Sequence, residues 1–233
     1  MNDVRILIVD DEWEITELIS LYLRREGYQV FVADNGYSAL HMVKETNPDL
    51  IILDILLKSL DGYEVCKEIR KTSSVPILFI SCKSEDIDII MGLTVGGDDY
   101  ITKPFSPGQL VARVKAHLRR TLQSYSILPS PSAHQLHYGE LEINLLSHDV
   151  KVGGRTVSLS AKEFDLLTYL AKSPNKVFKL EQLYQHIWNS ESFGDTRTLM
   201  VHISNLRKKI ERDPAHPRYI VTVRGVGYKF QYE

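Results

Sequence analysis

Four apolar runs in the first half of the chain end at residues that are suited to phosphoryl chemistry. These residues are an acid pair, a third acid, a hydroxyl and a lysine: Asp10 and Asp11, Asp54, Ser81, and Lys103. The carboxyl ends of parallel strands meet at one edge of a sheet, so we expect these side chains to lie together. Grouped carboxylates offer Mg²⁺ the hard oxygen ligands that it prefers, and a carboxylate beside a hydroxyl and a fixed cation can accept a phosphoryl group. Each residue alone could be a helix cap or a surface group, but the conjunction predicts a phosphoacceptor site.

The elements that must position these residues alternate between strand and helix patterns over residues 1–122. A segment of helical apolar spacing follows each of the predicted strands, which are Arg5–Val9, Gln29–Ala33, Leu50–Asp54, Pro76–Ser81 and Asp99–Thr102. Such alternation predicts right-handed crossovers and a parallel sheet that helices cover on both faces. We therefore expect an α/β domain built on a five-stranded, doubly wound parallel sheet.

Composition limits the classes of protein to which the chain can belong. A length of 233 residues suits two domains, and the net charge of -2 divides unevenly between them. Residues 1–122 carry 14 Lys and Arg against 19 Asp and Glu, whereas the remainder carries 14 against 11. The basic excess in the second half is weak evidence for nucleic acid by itself. Two cysteines argue against a disulfide scaffold, and no apolar run is long enough to cross a membrane, so we expect a soluble cytoplasmic protein.

The second half begins after a segment that has no Lys, Arg, Asp or Glu and is rich in serine and proline. This composition is typical of a linker, which we place at residues 123–136. Beyond it, the capping box Ser160–Glu163 predicts the start of a helix, and further helices are expected at Leu180–Trp188 and Thr196–Glu211. A strand pattern with a glycine-containing turn closes the chain as a hairpin. Three helices followed by a hairpin predict an α+β winged-helix domain over residues 137–233.

The third helix of this domain has an apolar stripe and an opposite polar face. The stripe that we expect to be buried consists of Leu199, Ile203, Leu206 and Ile210. The face that we expect to be exposed consists of Arg197, Val201, Ser204, Asn205 and Lys208. Arg can read guanine, Asn can read adenine and Val can contact a thymine methyl group, as a helix in the major groove requires. In the hairpin, Arg224 suits a narrow minor groove and Thr222 suits a phosphate.

Residues 1–122 resemble the receiver domain of response regulators, which has a flavodoxin-like fold. The run Asp98–Phe105 is one of that family's most specific signatures. The resemblance implies that Asp54 accepts a phosphoryl group from a sensor histidine kinase, that Lys103 pairs with the phosphate, and that Ser81 hydrogen-bonds a phosphate oxygen. It also implies Mg²⁺ as the cofactor, held by three carboxylates and one backbone carbonyl, those of Asp10, Asp11, Asp54 and Leu56.

The resemblance further implies a switch and a homodimer. Phosphorylation adds negative charge, so we expect Ser81 to move toward Asp54 and Tyr100 to turn inward into the vacated space. The face made by the fourth helix, the fifth strand and the fifth helix would then form a dimer. Two ion pairs are implied across it, Asp99 with Arg113 and Asp98 with Arg120. A third pair of the family is absent, because its two positions hold Ile89 and Gln109.

The loop after Asp54 departs from the family pattern. The run Lys58–Gly62 lacks the proline that usually stands there, so we expect a less restrained loop. Leu56 offers no polar group that could orient an attacking water, which predicts slow self-dephosphorylation.

Residues 137–233 resemble the winged-helix effector domain of OmpR/PhoB-type regulators. The closest matches are Arg197-Thr198, Val201-His202-Ile203 and Val223–Tyr228. The resemblance implies promoter DNA and RNA polymerase as partners, with Arg207 and Trp188 contacting the DNA backbone and Arg224 in the minor groove. The complete set of implied DNA contacts is Arg197, Thr198, Val201, Asn205, Arg207, Lys208, Trp188, Thr222 and Arg224. Base preference does not transfer, because family arginines are absent at Ser204 and Asn205.

The sequence therefore predicts a transcriptional regulator of a two-component system, phosphorylated on Asp54 and binding tandem DNA half-sites as a dimer. We do not expect an enzyme beyond slow loss of its own phosphoryl group. One alternative is an aspartyl-phosphate phosphatase or transferase, but such an enzyme usually needs a second acid where Leu56 stands. The other is a regulator that does not depend on phosphorylation, which DNA binding by Asp54→Ala without activation would favour.

Overall fold

The computed structural model describes residues 4–123, 134–188 and 196–232, except for the side chains of residues 119–123 and 196. It divides into two units, with the boundary between Arg119 and Arg120. Within the described ranges, no helix combines the length and apolar character that crossing a membrane requires.

Strands and helices alternate through the first unit. They are β1 (Arg5–Val9), α1 (Trp13–Arg25), β2 (Gln29–Ala33), α2 (Gly36–Thr46), β3 (Leu50–Asp54), α3 (Gly62–Arg70), β4 (Ile77–Ser81), α4 (Asp86–Thr94), β5 (Asp99–Thr102) and α5 (Pro107–Gln123). The strands form one parallel sheet in the order β2-β1-β3-β4-β5. This confirms the predicted doubly wound fold; the only strand whose bounds differ is β4, which begins one residue later than predicted.

Helices on both faces of the sheet explain why the central strands β3 and β4 are apolar up to their last residues, Asp54 and Ser81. Every residue of β3 and β4 is buried. Successive residues point to opposite faces, so Ile52 packs in a cluster with Leu110 of α5, whereas Leu53 packs in a cluster with Val65 of α3. The sheet is therefore held from both sides just below the edge at which Asp54 stands.

One glycine allows α3 to begin directly beside the end of β3. A Cβ atom at Gly62 would lie 2.1 Å from the backbone oxygen of Asp54, so no larger residue fits without a shift of the backbone. The amide of Gly62 donates to the carbonyl of Ile55 at 2.9 Å, and the side chain of Asp61 caps the helix by accepting from the amide of Tyr63. The chain thus passes from the end of β3 at Asp54 to the start of α3, beside that strand end, within eight residues.

The second unit has strands before, between and after its three described helices. Its elements are β6 (Gln135–Tyr138), β7 (Leu141–Asn144), β8 (Val150–Val152), β9 (Arg155–Val157), α6 (Ala161–Ala171), β10 (Val177–Lys179), α7 (Leu180–Trp188), α8 (Thr196–Ile210), β11 (Ile220–Val223) and β12 (Gly227–Phe230). The sheets have the orders β6-β7-β8-β9 and β10-β12-β11. This confirms the predicted α+β winged helix. The sequence did not predict β6, which begins inside the proposed linker, or β10, which joins the hairpin.

Two local predictions in this unit are confirmed by the side chains. The amide of Ser160 donates to the carboxylate of Glu163 at 2.8 Å and the hydroxyl of Ser160 accepts from the amide of Glu163, which completes the capping box of α6. The predicted stripe of α8 is fully buried at all four of its positions. The second unit therefore has its own apolar core, into which the inner side of α8 packs.

Candidate functional site

Lys103 lies at the centre of the acidic residues that end β1 and β3. Its Nζ donates to Oδ2 of Asp54 at 2.8 Å, to Oδ2 of Asp10 at 2.9 Å and to Oε1 of Glu12 at 2.9 Å. Asp10 and Asp54 are almost completely buried, whereas Glu12 is exposed. The sheet therefore brings the predicted phosphoacceptor, one predicted metal ligand and the predicted cation into direct contact.

The other member of the acid pair faces a different cation. Asp11 forms an ion pair with Lys58 of the loop after β3 at 3.1 Å, while oxygens of Asp10, Glu12 and Asp54 all lie within 4.8 Å of one another. The sequence grouped Asp11 with the other acids but overlooked Glu12, although it follows the pair directly. In the structure, Glu12 joins Asp10 and Asp54 in the cluster, while Asp11 contacts Lys58.

The ionisation of the cluster follows from burial and from the shared cation. Burial raises the pKa of Asp10, against the opposing effects of the amide of Glu12 and of Lys103. Burial alone would lower the pKa of Lys103, but its hydrogen bonds to Asp54, Asp10 and Glu12 outweigh that effect and raise the pKa. Lys103 is therefore a permanent positive charge against the carboxylate that is expected to accept the phosphoryl group.

The residues present fit a divalent cation of the magnesium type. Asp10, Glu12 and Asp54 supply only carboxylate oxygens, and those oxygens are close enough to bind one ion. The amide of Leu56 donates to Oδ1 of Asp54 at 3.1 Å, which holds the loop carrying the predicted carbonyl ligand beside the cluster.

The ring of Tyr100 is already turned inward. Only 8% of it is exposed, and its hydroxyl donates to the carbonyl of Lys83 at 2.8 Å. Tyr63 contacts the same region, because its hydroxyl donates to the carbonyl of Asp88 at 3.2 Å. Burial, reinforced by Asp88 and Asp61, raises the pKa of Tyr63 to about 12, so its hydroxyl stays protonated. The sequence predicted that Tyr100 turns inward after phosphorylation, and the structure has the side chain in an inward position.

Ser81 lies fully buried at the end of β4. Its hydroxyl accepts from the amide of Lys83 at 3.3 Å, which fixes the first turn of the loop between β4 and α4. Since Asp54 pairs with Ile80 in the sheet, Ser81 stands one residue beyond the acid on the neighbouring strand. This is the position at which a hydroxyl was expected.

Asp98 is a structural residue in this chain. Its side chain is completely buried, and Oδ2 accepts from Arg70 at 2.7 Å and from the amide of Ile77 at 2.9 Å. Arg70 also donates to the carbonyls of Gly96 and Val75. The predicted pair of Asp98 with Arg120 across a dimer is therefore corrected: the carboxylate of Asp98 is used within the chain. The side chain of Arg120 lies outside the described residues.

The other predicted dimer pair is formed within the chain. Arg113 donates to both carboxylate oxygens of Asp99 at 2.7 Å, and Nε2 of His117 lies 3.4 Å from Oδ2. Burial would raise the pKa of Asp99, but Arg113 and His117 outweigh it and hold the pKa well below its usual range. The sequence did not single out His117.

The outer face of α8 differs in part from the predicted DNA-reading face. Arg197, Ser204 and Lys208 are exposed and Val201 is half-buried, as a reading face requires, but Asn205 and Thr198 are buried. The expectation that Asn205 is exposed is wrong, and Thr198 likewise is not available at the surface. The buried part of α8 is wider than the four-residue stripe, because Thr198, His202 and Asn205 form a second buried row beside it.

Trp188 lies in the core of the second unit. Only 4% of it is exposed, its ring stacks on Tyr184 with centroids 4.9 Å apart, and Nζ of Lys162 lies 5.4 Å from the ring. The same Nζ donates to the carbonyl of Ile187 at 2.7 Å. The predicted contact of Trp188 with a DNA backbone is therefore not supported by its position.

Arg224 and Arg207 have different surroundings. Arg224 is exposed at the turn between β11 and β12, as predicted. Arg207 is half-buried, and its guanidinium donates to the carbonyl of Ile220 and to the hydroxyl of Thr222, at 2.6 to 2.9 Å. Arg207, which the sequence assigned to the DNA backbone, and Thr222, which it assigned to a phosphate, are thus bonded to each other.

Comparison with known proteins matches both units. Residues 6–115 match the family of response regulator receiver domains, and residues 154–230 match the family described as transcriptional regulatory protein, C terminal. The chain is 44% identical over 232 residues to the transcriptional regulatory protein YvrH of Bacillus subtilis, covering 99% of this chain and 96% of YvrH. It is 42% identical over 225 residues to the DNA-binding response regulator MtrA of Mycolicibacterium smegmatis, covering 97% and 96%. The structure of DrrB, an OmpR/PhoB homolog from Thermotoga maritima, is similar with a TM-score of 0.53 at 33% identity, over 98% of this chain and 99% of DrrB.

Proposed function

The chain belongs to the DNA-binding response regulators of two-component systems, of the OmpR/PhoB type, and from this membership we propose that phosphorylation of Asp54 controls its binding to tandem promoter half-sites. Response regulators of this class have a histidine kinase and DNA as partners and are generally not enzymes. The observation that carries the proposal is the contact of Lys103 with Asp54 and Asp10 in one buried cluster.

The chemistry proposed for Asp54 is attack on the phosphorus of a phosphohistidine. A carboxylate oxygen of Asp54 forms the new P–O bond while the P–N bond breaks. The electron pair of the P–N bond returns to the imidazole nitrogen of the kinase. Lys103 stands 2.8 Å from Asp54, where its charge would offset that of the incoming phosphoryl oxygens. Asp10, Glu12 and Asp54 would hold Mg²⁺, which supplies further neutralisation of the phosphoryl charge when bound. Asp11 would join this set by leaving Lys58.

The switch is proposed to act through Ser81 and the loop after β4. A phosphoryl group on Asp54 adds acceptor oxygens beside the buried hydroxyl of Ser81, which now accepts from the amide of Lys83. Donation by Ser81 to the phosphoryl group would pull on the loop whose Lys83 carbonyl holds Tyr100. Phosphorylation is expected to stabilise the inward arrangement of Tyr100 by shifting an existing equilibrium toward it.

Dimerisation is proposed on the face of α4, β5 and α5. Helix α4 has exposed apolar side chains, with Ile87 70% exposed and Met91 49% exposed. Asp99 and Arg113 are paired within the chain, so exchange of that pair between two chains would replace one contact with an equivalent one. Apolar contact is therefore expected to contribute more to the dimer than ion pairs do.

DNA binding is proposed through the exposed residues of α8 and the hairpin. Arg197, Val201 and Lys208 lie on the outer side of the helix, and Arg224 lies at the hairpin turn. Polymerase contact is proposed for residues 176–187, a region that contains β10 and most of α7, as the family resemblance implies.

The phosphoacceptor is tested by the intact mass of the full chain after incubation with Mg²⁺ and acetyl phosphate. We expect one added phosphoryl group for the wild type and none for Asp54→Ala. A matched control is Asp34→Ala, which removes an exposed acid that follows β2 but lies outside the cluster, and this variant should still be phosphorylated. Equal modification of Asp54→Ala and the wild type would refute the assignment.

A regulator that does not depend on phosphorylation is the second candidate. The observation that favours it is Lys58, which occupies the loop where the family has proline and pairs with Asp11. In this case neither acetyl phosphate nor a kinase would change the affinity for DNA, and Asp54→Ala would bind DNA as the wild type does.

A further inference from the structure

Arg207 attaches the recognition helix α8 to the first strand of the hairpin. Its Nε and Nη2 donate to the carbonyl of Ile220 at 2.9 and 2.6 Å, and Nη2 also donates to Oγ1 of Thr222 at 2.8 Å. The guanidinium lies 5.6 Å from the ring centroid of Tyr228 on β12. One side chain of α8 thus contacts both strands of the hairpin that carries Arg224.

Glu211, one turn further along the chain, makes a second attachment. Its Oε1 accepts from the amides of Tyr219 and Ile220, both at 2.9 Å, and its Oε2 accepts from the amide of Arg218 at 2.8 Å. The start of β11 is therefore held by Glu211, and its middle is held by Arg207. Because β11 is an edge strand of the sheet, Arg207 of α8 and Glu211, the residue after α8, satisfy backbone groups that have no neighbouring strand.

We propose that Arg207 is a positioning residue, which fixes the hairpin and its Arg224 relative to the recognition helix, and not a ligand of DNA phosphate. This inference rests on the proposed DNA binding by α8 and the hairpin. A phosphate contact would compete for the donors that now bind Ile220 and Thr222, and Ile220 is completely buried, so water could not easily replace the lost donor at its carbonyl. Burial also lowers the pKa of Arg207, although the group stays charged.

The two roles predict opposite results for Arg207→Lys. Lysine keeps the charge that a phosphate requires, but its single ammonium cannot reproduce the planar fork that spans the carbonyl of Ile220 and the hydroxyl of Thr222. As a positioning residue, Arg207 should be irreplaceable, and Arg207→Lys should weaken DNA binding by about tenfold, nearly as much as Arg207→Gln. As a phosphate ligand, it should tolerate lysine with close to wild-type affinity.

Coupling to Arg224 gives an independent readout on the full chain. The probe is a 30-base-pair duplex (about three helical turns) selected from a random pool by the wild-type chain, and affinity is measured at several salt concentrations. In an Arg224→Ala background we expect Arg207→Gln to cause little further loss and to leave the salt slope unchanged, because the hairpin no longer carries its main contact. The control Lys208→Gln removes an exposed neighbouring cation. Its loss of DNA affinity should persist in the Arg224→Ala background, and it should flatten the slope of log affinity against log salt concentration by about 0.9. The same persistent loss and flattening for Arg207→Gln would overturn the proposal.

A measurement without DNA separates this inference from the proposed function. Hydrogen exchange of residues 219–230 should become faster in Arg207→Lys and in the milder variant Thr222→Val, while exchange in the sheet of β6 to β9 stays as in the wild type. Thr222→Val loses the hydrogen bond from Arg207 to the Thr222 hydroxyl but keeps the bonds from Arg207 to Ile220. It therefore still tests the proposal if the Arg207 variants fail to fold. Unchanged exchange in both variants would overturn the positioning role. If the wild type selects no duplex, the proposed DNA binding fails, yet the exchange result still decides whether Arg207 holds the hairpin.

Discussion

Arg70 and Asp98 form an ion pair that is almost completely closed to water, with Nη2 of Arg70 2.7 Å from Oδ2 of Asp98. The side chain of Arg70 is 10% exposed and that of Asp98 is 0% exposed. The pair joins the end of α3 to the start of β5, and the amide of Ile77 joins β4 to it. A residue that the sequence assigned to a dimer interface is thus part of the framework of the first unit.

Removing one partner of this pair should destabilise the first unit strongly. For Arg70→Met we expect a loss of about 3–5 kcal/mol in the free energy of unfolding, because the carboxylate of Asp98 would stay buried without its cation. The measurement is urea denaturation followed by circular dichroism. The control is Lys71→Met, since Lys71 pairs with Glu68 on the surface and should contribute at most about 1 kcal/mol. Similar losses for both variants would contradict the framework role.

Asp99 should make the stability of the first unit dependent on acidic pH. Arg113 and His117 lower its pKa from the ordinary 3.8 in spite of burial, so the folded state binds its proton less readily than the unfolded chain does. The stabilisation is then present above pH 3.8 and is lost as pH falls from there toward the lowered pKa. We expect Asp99→Asn to reduce the free energy of unfolding by about 3 kcal/mol at pH 7, with a smaller difference from the wild type at pH 3.

Urea titrations of both proteins across this pH range would measure that difference. The control is Asp213→Asn, which removes an exposed acid in the other unit and should have a small effect at every pH. A difference between the wild type and Asp99→Asn that grew as the solution became more acidic would have the wrong sign for this linkage.

The sequence predicted most of the fold because its central elements are periodic. Strands that are buried on both faces appear as unbroken apolar runs, and the amphipathic helices between them repeat every three or four residues, so β1 to β5 were predicted almost to the residue. Two strands were missed: β6 begins inside the segment that was assigned to the linker, and β10 pairs with β12, which lies about fifty residues further along the chain.

The site was predicted in its types of residue but not in all of its contacts. The ends of parallel strands lie at one edge of the sheet, which is why the sequence correctly placed Asp10, Asp54 and Lys103 together. The partner that a side chain contacts depends on residues that are distant in sequence. Asp11, for example, pairs with Lys58 of the loop after β3. Asn205 was misplaced for a related reason, because α8 packs on more than one element and buries a wider face than a single stripe indicates.

Leu56 should make the phosphoryl group on Asp54 long-lived. Its side chain is 51% exposed beside the cluster and has no polar atom that could orient a water for attack. We expect phosphorylated wild type to persist for hours, and Leu56→Gln to lose its phosphoryl group about tenfold faster, because an amide could position that water. The measurement is intact mass against time after removal of acetyl phosphate. The control Leu56→Met keeps an apolar side chain of similar size and should match the wild type, whereas a loss within seconds from the wild type would contradict the argument.

Lys58 should weaken the binding of Mg²⁺ to the acidic cluster. Its ammonium lies 3.1 Å from Asp11, and in the bound state that carboxylate would have to exchange the lysine for the metal. Lys58 is 79% exposed, so solvent screens the pair and its effect on affinity is expected to be no more than about fivefold. We expect Lys58→Met to bind Mg²⁺ about two- to fivefold more tightly than the wild type.

A magnesium titration monitored by tryptophan fluorescence would test this, because Trp13 stands two residues after Asp11 and is 68% exposed. Trp188 lies in the other unit and should contribute a constant signal. Lys71→Met changes the net charge equally without touching Asp11, so it separates a local effect from a general one. If both variants shifted the affinity equally, the contact of Lys58 with Asp11 would have no specific role; if only Lys58→Met gained affinity, the metal and Lys58 would be competitors for the same carboxylate.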